Sequence, residues 1–234
     1  SLLALYLGYG PLVAIAIALI GGAAIGVVNG VLIGYFGIQP IVATLAMLVG
    51  ARGLALVIAQ GRLTEIFDPT LGAIGSDQVF GIPIVVLMTA AVALFVAFLV
   101  TRTTFGRYLL AIGGNPKASF LAGVPVRRTL LAVYVLGALF AALAGIIQTA
   151  RLSAADPSFV GNLIELSAIT AVVVGGTPLA GGRIRILGTL AGALLMQLIA
   201  ATLITHNLPD SATRMVVALI ILGAVYVQRV RGRG

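Results

Sequence analysis

The sequence predicts an all-α membrane protein, a polytopic helical bundle that forms a single transmembrane domain over residues 1–234. Two observations lead to this fold class. First, 61% of the residues are hydrophobic and only 9% are charged, which leaves too few polar side chains to cover a water-soluble domain. Second, apolar runs of about 20 residues, the length that crosses the hydrocarbon layer as a helix, alternate with short polar segments.

Seven apolar runs are predicted to form these crossings. The first, Pro11–Phe36, places a glycine at every fourth position from Gly22 to Gly34, so one face of the helix is nearly bare and invites close packing. Gly188 and Gly192 repeat this small-residue spacing on the sixth run. After the first, the runs in chain order are 40–59, 82–101, 130–149, 163–174, 186–205 and 212–228.

Two of the runs have features that are unusual in lipid. The second includes Arg52, a charge that must face protein or water because its burial in hydrocarbon is costly. The fifth, Leu163–Val174, has about 12 residues, or about 18 Å of helix, and is too short to cross alone. Between the second and third runs, segment 61–81 is expected to be a turn-rich loop, and Pro83 is expected in the first turn of the third helix.

The most distinctive segment is a basic stretch, 101–128, between the third and fourth runs. Within it, Asn115 can cap a helix with its side chain, Pro116 suits a first helical turn, and Gly123 suits a left-handed exit. These residues predict one short helix over 116–122. The charged side chains of the stretch are all basic, and they are Arg102, Arg107, Lys117, Arg127 and Arg128.

The basic stretch allows two interpretations. A capped helix of about two turns is marginal in water unless it packs against something, so we predict that 102–128 is a cytoplasmic coupling loop that another protein grips. The alternative is a basic connection held on anionic lipid, which would be enough to fix the topology. The residues expected to make the coupling contact are Arg107, Gly113, Gly114, Asn115, Pro116, Lys117, Ala118, Phe120 and Gly123.

The distribution of charge predicts the orientation in the membrane. If the basic stretch is cytoplasmic and each run crosses once, that side collects ten basic residues and no acidic residue. The other side collects three arginines and five acidic residues, while Arg52 and Glu165 lie within the runs. This is the positive-inside pattern, and it places the C-terminus in the cytoplasm.

The fifth run ends in a glycine-rich loop, GGTPLAGGR at 175–183. A nucleotide-binding phosphate loop needs Lys and then Ser or Thr after its last glycine, and a strand before it, so the loop does not predict ATP binding within this chain. Two interpretations remain, a structural kink that lets a broken helix pack and a hinge or gate near the inner mouth of a conduit. The glycines concerned are Gly175, Gly176, Gly181 and Gly182.

Polar residues within the runs are the candidates for a solute pathway. Glu165 is the only carboxylate there, and it could couple a proton or cation to transport, form a structural ion pair with Arg52, or lie hydrated near the outer surface. The structural options are favoured because a coupled carrier usually has more than one such residue. Asn29 on the first run and Thr44 on the second are the other candidates.

Composition argues against several other classes of protein. With zero cysteines and a single histidine, no metal centre built on thiolates or histidines is expected. Serine and threonine lack a histidine partner inside the bilayer and no two carboxylates share a run, so neither enzymatic catalysis nor a cofactor is predicted. The net charge of +8 lies in clusters between apolar runs, which is typical of a membrane surface and not of a nucleic-acid interface.

Two segments carry a resemblance to a known family. YLLAIGGNPKASFLAGV at 108–124 and ELSAITAVVVGGTPLAGGR at 165–183 resemble the permease subunits of bacterial monosaccharide ABC importers of the ribose, xylose, arabinose and galactofuranose type. The similarity extends from about residue 29 to residue 228. Two positions depart from the family pattern, since Ser167 stands where members commonly have Asp and Pro178 where many have Ser.

The resemblance implies a fold, a location and partners. The fold would be the cobalamin-importer-like, type II permease fold of about ten helices, of which this N-terminally incomplete chain would supply the last seven. The chain would lie in the bacterial inner membrane, with Asn115–Gly123 as the coupling helix in a groove of a cytoplasmic ABC ATPase subunit. A second permease, identical or related, and a periplasmic sugar-binding protein would complete the assembly.

Other functions are compatible with the same residues. One is a branched-chain amino acid permease of the wider ABC superfamily, which would differ in its solute. Another is a secondary carrier that works alone and depends on Glu165. A third is a structural membrane protein that moves no solute.

Overall fold

The computed structural model describes residues 8, 10–66, 68–158, 160–162, 164–178, 181–206, 215–216, 218–220 and 223. The chain divides into two compact units. The first unit consists of Ser1–Phe105 and Val124–Gly161, and the second consists of Gly106–Gly123 and Asn162–Gly234.

Helices dominate the described residues, with four two-residue strands between them. In chain order the elements are α1 (Pro11–Gly34), α2 (Pro40–Ile58), β1 (Thr64–Glu65), α3 (Pro69–Ser76), β2 (Gln78–Val79), β3 (Ile82–Pro83), α4 (Ile84–Arg102), α5 (Thr104–Gly114), α6 (Pro116–Leu121), α7 (Val126–Leu152), β4 (Ala154–Ala155), α8 (Ile164–Val174) and α9 (Ile186–Thr205).

Five helices in the described part of the chain, α1, α2, α4, α7 and α9, are long and apolar enough to cross a membrane. They correspond to the first, second, third, fourth and sixth predicted runs. The fifth run forms α8, whose 11 residues are too few to span the hydrocarbon layer. The seventh run, 212–228, lies mostly outside the described residues, so the total of seven crossings stays a prediction.

Close packing of α1 against α7 confirms the prediction drawn from the glycine spacing. A methyl group on Gly26 would lie 2.7 Å from the Cα of Val135, and one on Gly22 would lie 2.7 Å from the Cβ of Ala142. The partner on α7 moves back along the chain as the glycine moves forward along α1, so the two helices run antiparallel. Only a face without side chains allows the backbones to come this close.

The segment 61–81 was predicted to be a turn-rich loop. This prediction was partly wrong, since the segment contains the helix α3. The Asp68 side chain caps this helix by accepting hydrogen bonds from the N–H groups of Thr70 at 2.8 Å and Leu71 at 3.3 Å. Gly75 packs against the backbone of Ala150 near the end of α7. An aspartate followed by proline is a helix-start signal, which the acidic and glycine-rich composition of the segment concealed.

Short strands connect the helices at this end of the first unit. Thr64 and Glu65 pair antiparallel with Ala155 and Ala154, which joins the end of α2 to the end of α7. The strands β2 and β3 form a hairpin, and therefore Pro83 lies in a strand and α4 begins at Ile84. The prediction that Pro83 lies in the first turn of this helix was wrong.

The second unit is built around an α8–α9 hairpin. A methyl group on Gly188 or Gly192 of α9 would overlap the carbonyl of Gly175 or Ala171, respectively. The second small-residue pair is thus confirmed as a packing face. At its centre, Thr170 is 1% exposed and donates its hydroxyl to the carbonyl of Leu166 at 2.6 Å.

Candidate functional site

The basic stretch contains two helices where the sequence analysis predicted one. The additional helix, α5, covers Thr104–Gly114 and has Gly106 and Ile112 buried. Its apolar residues recur at helical spacing, at Phe105, Tyr108, Leu109 and Ile112, and this signal could have revealed it. The three glycines of the segment made it resemble a loop.

The short helix α6 follows α5 and covers Pro116–Leu121. The Asn115 side chain caps it by accepting a hydrogen bond from the Ala118 N–H at 3.0 Å. Ser119 is buried, and its hydroxyl donates to the Asn115 carbonyl at 2.9 Å. The chain leaves through Gly123 at a φ of +80°, the left-handed conformation that a helix-ending glycine adopts.

Two large apolar side chains of α6 are exposed. The Phe120 side chain is 65% exposed and that of Leu121 is 85% exposed. Arg107 and Lys117 are also exposed, and no acidic residue occurs in α5 or α6. The cap at Asn115 and the glycine exit at Gly123 define the two ends of this helix. Its two large apolar side chains, with positive charge nearby, are suited to insertion into a groove with an acidic rim.

The glycine-rich loop after α8 touches the end of α5 within the second unit. A methyl group on Gly181 would lie 2.5 Å from the Gly113 carbonyl oxygen, and one on Gly113 would lie 3.0 Å from the Gly182 nitrogen. The structure thus brings together residues that the sequence analysis had placed in two separate groups, the coupling contact and the gate. Sequence spacing alone offered no signal for this contact.

The same loop is fixed to the start of α9 by hydrogen bonds that the sequence analysis did not predict. The Thr177 hydroxyl oxygen accepts from the Arg185 N–H at 3.1 Å and lies 3.5 Å from the Thr189 hydroxyl oxygen. Thr189 in turn donates to the Arg185 carbonyl at 3.0 Å. Before the loop, Gly175 packs against the backbone of Gly188, and Gly176 turns the chain with a φ of +81°.

A groove in the first unit contains both polar pathway candidates. It lies between α1, α2 and α7, has a volume of ≈ 910 Å³, and is lined by Asn29 and Thr44. We call it the Asn29 groove. Asn29 is 9% exposed, and its Oδ1 atom has no hydrogen-bond partner among the described residues. The Thr44 hydroxyl donates to the Pro40 carbonyl at 2.8 Å, which leaves its oxygen able to accept.

A second groove continues from the first along α2. It has a volume of ≈ 710 Å³ and is lined by Arg52 and Asp156, and we call it the Arg52 groove. Ile17, Leu48 and Ala51 line both grooves, so the two grooves adjoin each other. Arg52 therefore faces a cavity that holds a carboxylate, as the cost of burying its charge in lipid requires.

Glu165 lies in the first turn of α8 and is half-buried. A carboxylate in this position interacts favourably with the N-terminal end of the helix dipole. Arg52 belongs to the first unit and Glu165 to the second, and an ion pair between them remains a hypothesis.

The side chains described here do not form a catalytic constellation. In the part of the chain that the structure describes, no group of three or more His, Cys, Asp or Glu residues could hold a metal ion. What these residues offer is an exposed short helix, α6, a backbone contact from α5 to the glycine-rich loop, and two adjoining grooves with a few polar groups.

Comparison with known proteins identifies the class. Residues 1–225 match the family described as branched-chain amino acid transport system / permease component. The chain belongs to this family of transport permeases.

The relatives found are named for sugars. The chain is 42% identical over 221 residues to the ribose import permease protein RbsC of Escherichia coli (strain K12), covering 92% of this chain and 68% of the relative. It is 38% identical over 203 residues to the L-arabinose transport system permease protein AraH of the same organism, covering 86% and 61%. It is 35% identical over 210 residues to the galactofuranose transporter permease protein YtfT, also from that strain, covering 90% and 62%. No solved structure matches the chain.

Proposed function

We propose that the chain is the permease subunit of an ATP-driven ABC importer that moves a monosaccharide across the bacterial inner membrane. The solute would be a pentose or hexose, with galactofuranose included. The observation that carries the proposal is α6, an exposed and capped helix on a chain whose relatives are named as sugar permeases. ATP hydrolysis would be performed by a separate cytoplasmic subunit, so the chain itself would be a transport subunit and not an enzyme.

The exposure and charge of α6 support its docking to the ATPase. Phe120 and Leu121 would enter the ATPase groove, with Lys117 and Arg107 facing acidic residues at the rim. The Gly113–Gly181 contact supports a role for the glycine-rich loop in responding to the ATPase, because displacement of α5 would be transmitted through two backbones in contact. In this proposal Gly175, Gly176, Gly181 and Gly182 form the hinge, and the Asn29 and Arg52 grooves form part of the solute path.

The proposal includes an orientation and an assembly. Lys117 would be cytoplasmic, as would the C-terminus, because the positive-inside pattern requires it. The fold would be of the type II permease class, and 102–128 would be the coupling loop of a single permease domain. A second permease, identical or related, and a periplasmic sugar-binding protein would complete the importer.

A second candidate is a branched-chain amino acid importer, which the description of the matched family favours. The two candidates differ in the solute and in the binding protein that delivers it. The uncharged lining of the Asn29 groove favours a neutral solute over a zwitterion, because it offers no charge to pair with an ammonium or carboxylate group. A secondary carrier would instead depend on Glu165 and would need no ATPase.

One reconstitution experiment tests these functions. The permease would be purified with its ATPase and placed in proteoliposomes with the periplasmic binding protein, and ATPase activity and uptake would be measured for a panel of pentoses, hexoses and branched-chain amino acids. We expect one sugar to stimulate hydrolysis and to accumulate only when ATP is present. Stimulation by an amino acid alone would support the second candidate. Ion-driven uptake without the ATPase would overturn both.

A further inference from the structure

We infer that Asn29 is a hydrogen-bonding contact for a neutral polyhydroxylated solute inside the Asn29 groove. The inference rests on the proposed function, and it assigns to one residue a direct role in passing the solute.

The first observation is an unpaired amide. Asn29 is 9% exposed, yet its Oδ1 atom lacks a hydrogen-bond partner among the described residues. Buried polar atoms are nearly always paired, because water is no longer available to them and an apolar surrounding offers no substitute. Asn29 lines the groove although its Oδ1 atom has almost no accessible surface, so a partner that enters the groove from outside the chain would reach the unpaired oxygen after a rotation of the side-chain amide.

The second observation is that many threonines of the described helices are satisfied internally. Each of several threonines donates its hydroxyl to the carbonyl of the residue four positions earlier, which pairs the group without any partner from outside the helix. Asn29 is the single buried side chain in the described part of the chain with an unpaired polar atom. The threonines are Thr44, Thr89, Thr101, Thr129, Thr170, Thr202 and Thr205.

The chemistry of the groove selects the class of ligand. An amide both donates and accepts, as a sugar hydroxyl does, and two such groups can exchange roles without a change in charge. Thr44 and Tyr134 also line the groove and add hydroxyl groups, while no Asp, Glu, Lys or Arg lines it. A charged solute would therefore lose its hydration without gaining an opposite charge, which is costly.

The size of the groove fits a single small solute. Its volume of ≈ 910 Å³ lies within the range of about 300–1,000 Å³ that is usual for small-molecule sites. A few polar groups in an otherwise apolar wall give weak binding, which suits a conduit because the solute must leave as readily as it enters. The neighbouring Arg52 groove would provide the adjoining section of the path.

Cysteine labelling tests whether the groove is wet and occupied in the working assembly. The chain has no cysteine, so single-cysteine variants need no prior substitutions. In the reconstituted importer, Asn29→Cys should react with a water-soluble thiosulfonate reagent, and the reaction should slow during turnover with the transported sugar. Ile20→Cys is the control, because Ile20 is 68% exposed on the same helix but does not line the groove, so the reagent should not reach it in lipid.

Transport measurements test the hydrogen bond itself. Asn29→Leu should lower the maximal uptake rate about three- to tenfold, as expected for the loss of one or two hydrogen bonds to the solute. Asn29→Ser, which keeps a hydroxyl, should recover part of that loss. Thr89→Ala on α4 is the control for removing a polar group from a spanning helix, and it should transport at the rate of the unmodified chain.

The outcomes separate this inference from the proposed function. If the unmodified importer moves no sugar, the proposed function fails. If the unmodified importer moves a sugar but Asn29→Cys resists the reagent, the groove is covered by another helix or by a second copy, and the inference is overturned. Uptake by Asn29→Leu at the unmodified rate would overturn it as well, whatever the labelling shows.

Discussion

Gly113 and Gly181 meet backbone to backbone in the second unit, with only 2.5 Å between the Gly113 carbonyl oxygen and the place where a methyl group on Gly181 would lie. Gly113 is in the last turn of α5, directly before the segment that caps α6. Gly181 belongs to the loop that leads from α8 to α9. A contact between two backbones leaves no flexible side chain to absorb a displacement, so a movement of α5 that preserves the contact must carry the loop with it.

The first prediction concerns this contact. Gly181→Ala should destabilise the second unit by about 1–3 kcal/mol, because alanine is strained at a φ of +88° and its methyl group would overlap Gly113. In the importer, we expect sugar-stimulated ATPase activity to persist while uptake per ATP falls. Gly53→Ala is the control, since nothing lies within 4 Å of that position, and it should match or exceed the stability of the unmodified chain. Equal melting temperatures for both variants would show that the contact is not tight.

The second prediction concerns the exposed apolar side chains of α6. Phe120→Asp should lower uptake at least about tenfold, because it replaces a candidate anchor of the ATPase interface with a charge that repels an acidic rim. Membrane insertion and melting temperature should be unchanged, since Phe120 is 65% exposed and contributes little to the fold. The measurements are uptake, ATPase activity and co-purification with the ATPase.

Thr104→Asp is the matched control for this change. It adds the same charge to the same basic stretch, at an exposed position in the first turn of α5 where an acidic residue favours the helix. Normal co-purification of Phe120→Asp with the ATPase would contradict docking through α6.

The third prediction concerns the cap of α6. Asn115→Ala removes the acceptor of the Ala118 N–H and should destabilise this short helix by about 1 kcal/mol. A helix of six residues has little else to hold it, so hydrogen exchange at the Ala118 amide should accelerate. Asn115→Asp keeps an acceptor at the same place and should retain slow exchange. If the alanine and aspartate variants gave the same exchange rate at the Ala118 amide, the Asn115 side chain would not be what stabilises α6.

Much of this fold could be predicted from the sequence because the bilayer imposes simple rules. Run length predicted five of the apolar helices, and the glycine spacing from Gly22 to Gly34 predicted a packing face on α1 but not its partner, α7. The cap, proline and glycine around α6 are local signals, and they predicted its position to within one residue. These features depend on neighbours in the chain, which the sequence displays directly.

The features that were missed depend on contacts between distant parts of the chain. Gly113 and Gly181 lie in segments that the sequence analysis treated separately, and no spacing rule connects them. Thr177 lies in a glycine-rich loop, and the sequence gives no sign that its hydroxyl oxygen accepts a hydrogen bond from the Arg185 N–H. The helix α3 was missed for another reason, since acidic and glycine residues suggested a loop where the Asp68 cap starts a helix.

The fourth prediction concerns the α1–α7 interface. Gly26→Leu should destabilise the first unit by about 3 kcal/mol, because a side chain there would collide with the backbones of Tyr134 and Val135 at 2.8 Å and 2.7 Å. Gly50→Leu on α2 is the control, since that position faces open space within the chain and leucine favours a helix. Thermal unfolding in detergent measures both. A Gly26→Leu variant as stable as the Gly50→Leu variant would mean that the two helices do not pack as described.

The fifth prediction concerns orientation. Lys117 is exposed on α6 and Ser158 is exposed after β4, and each can become the single cysteine of a chain that has none. Because basic residues are retained in the cytoplasm, Lys117→Cys should react with a membrane-impermeant maleimide only in inside-out vesicles. Ser158→Cys lies in a segment with Asp156 and should react only in intact spheroplasts. If both positions were labelled from one side, the number of crossings between them would be even, and α6 could not face a cytoplasmic ATPase while Ser158 faces the periplasm.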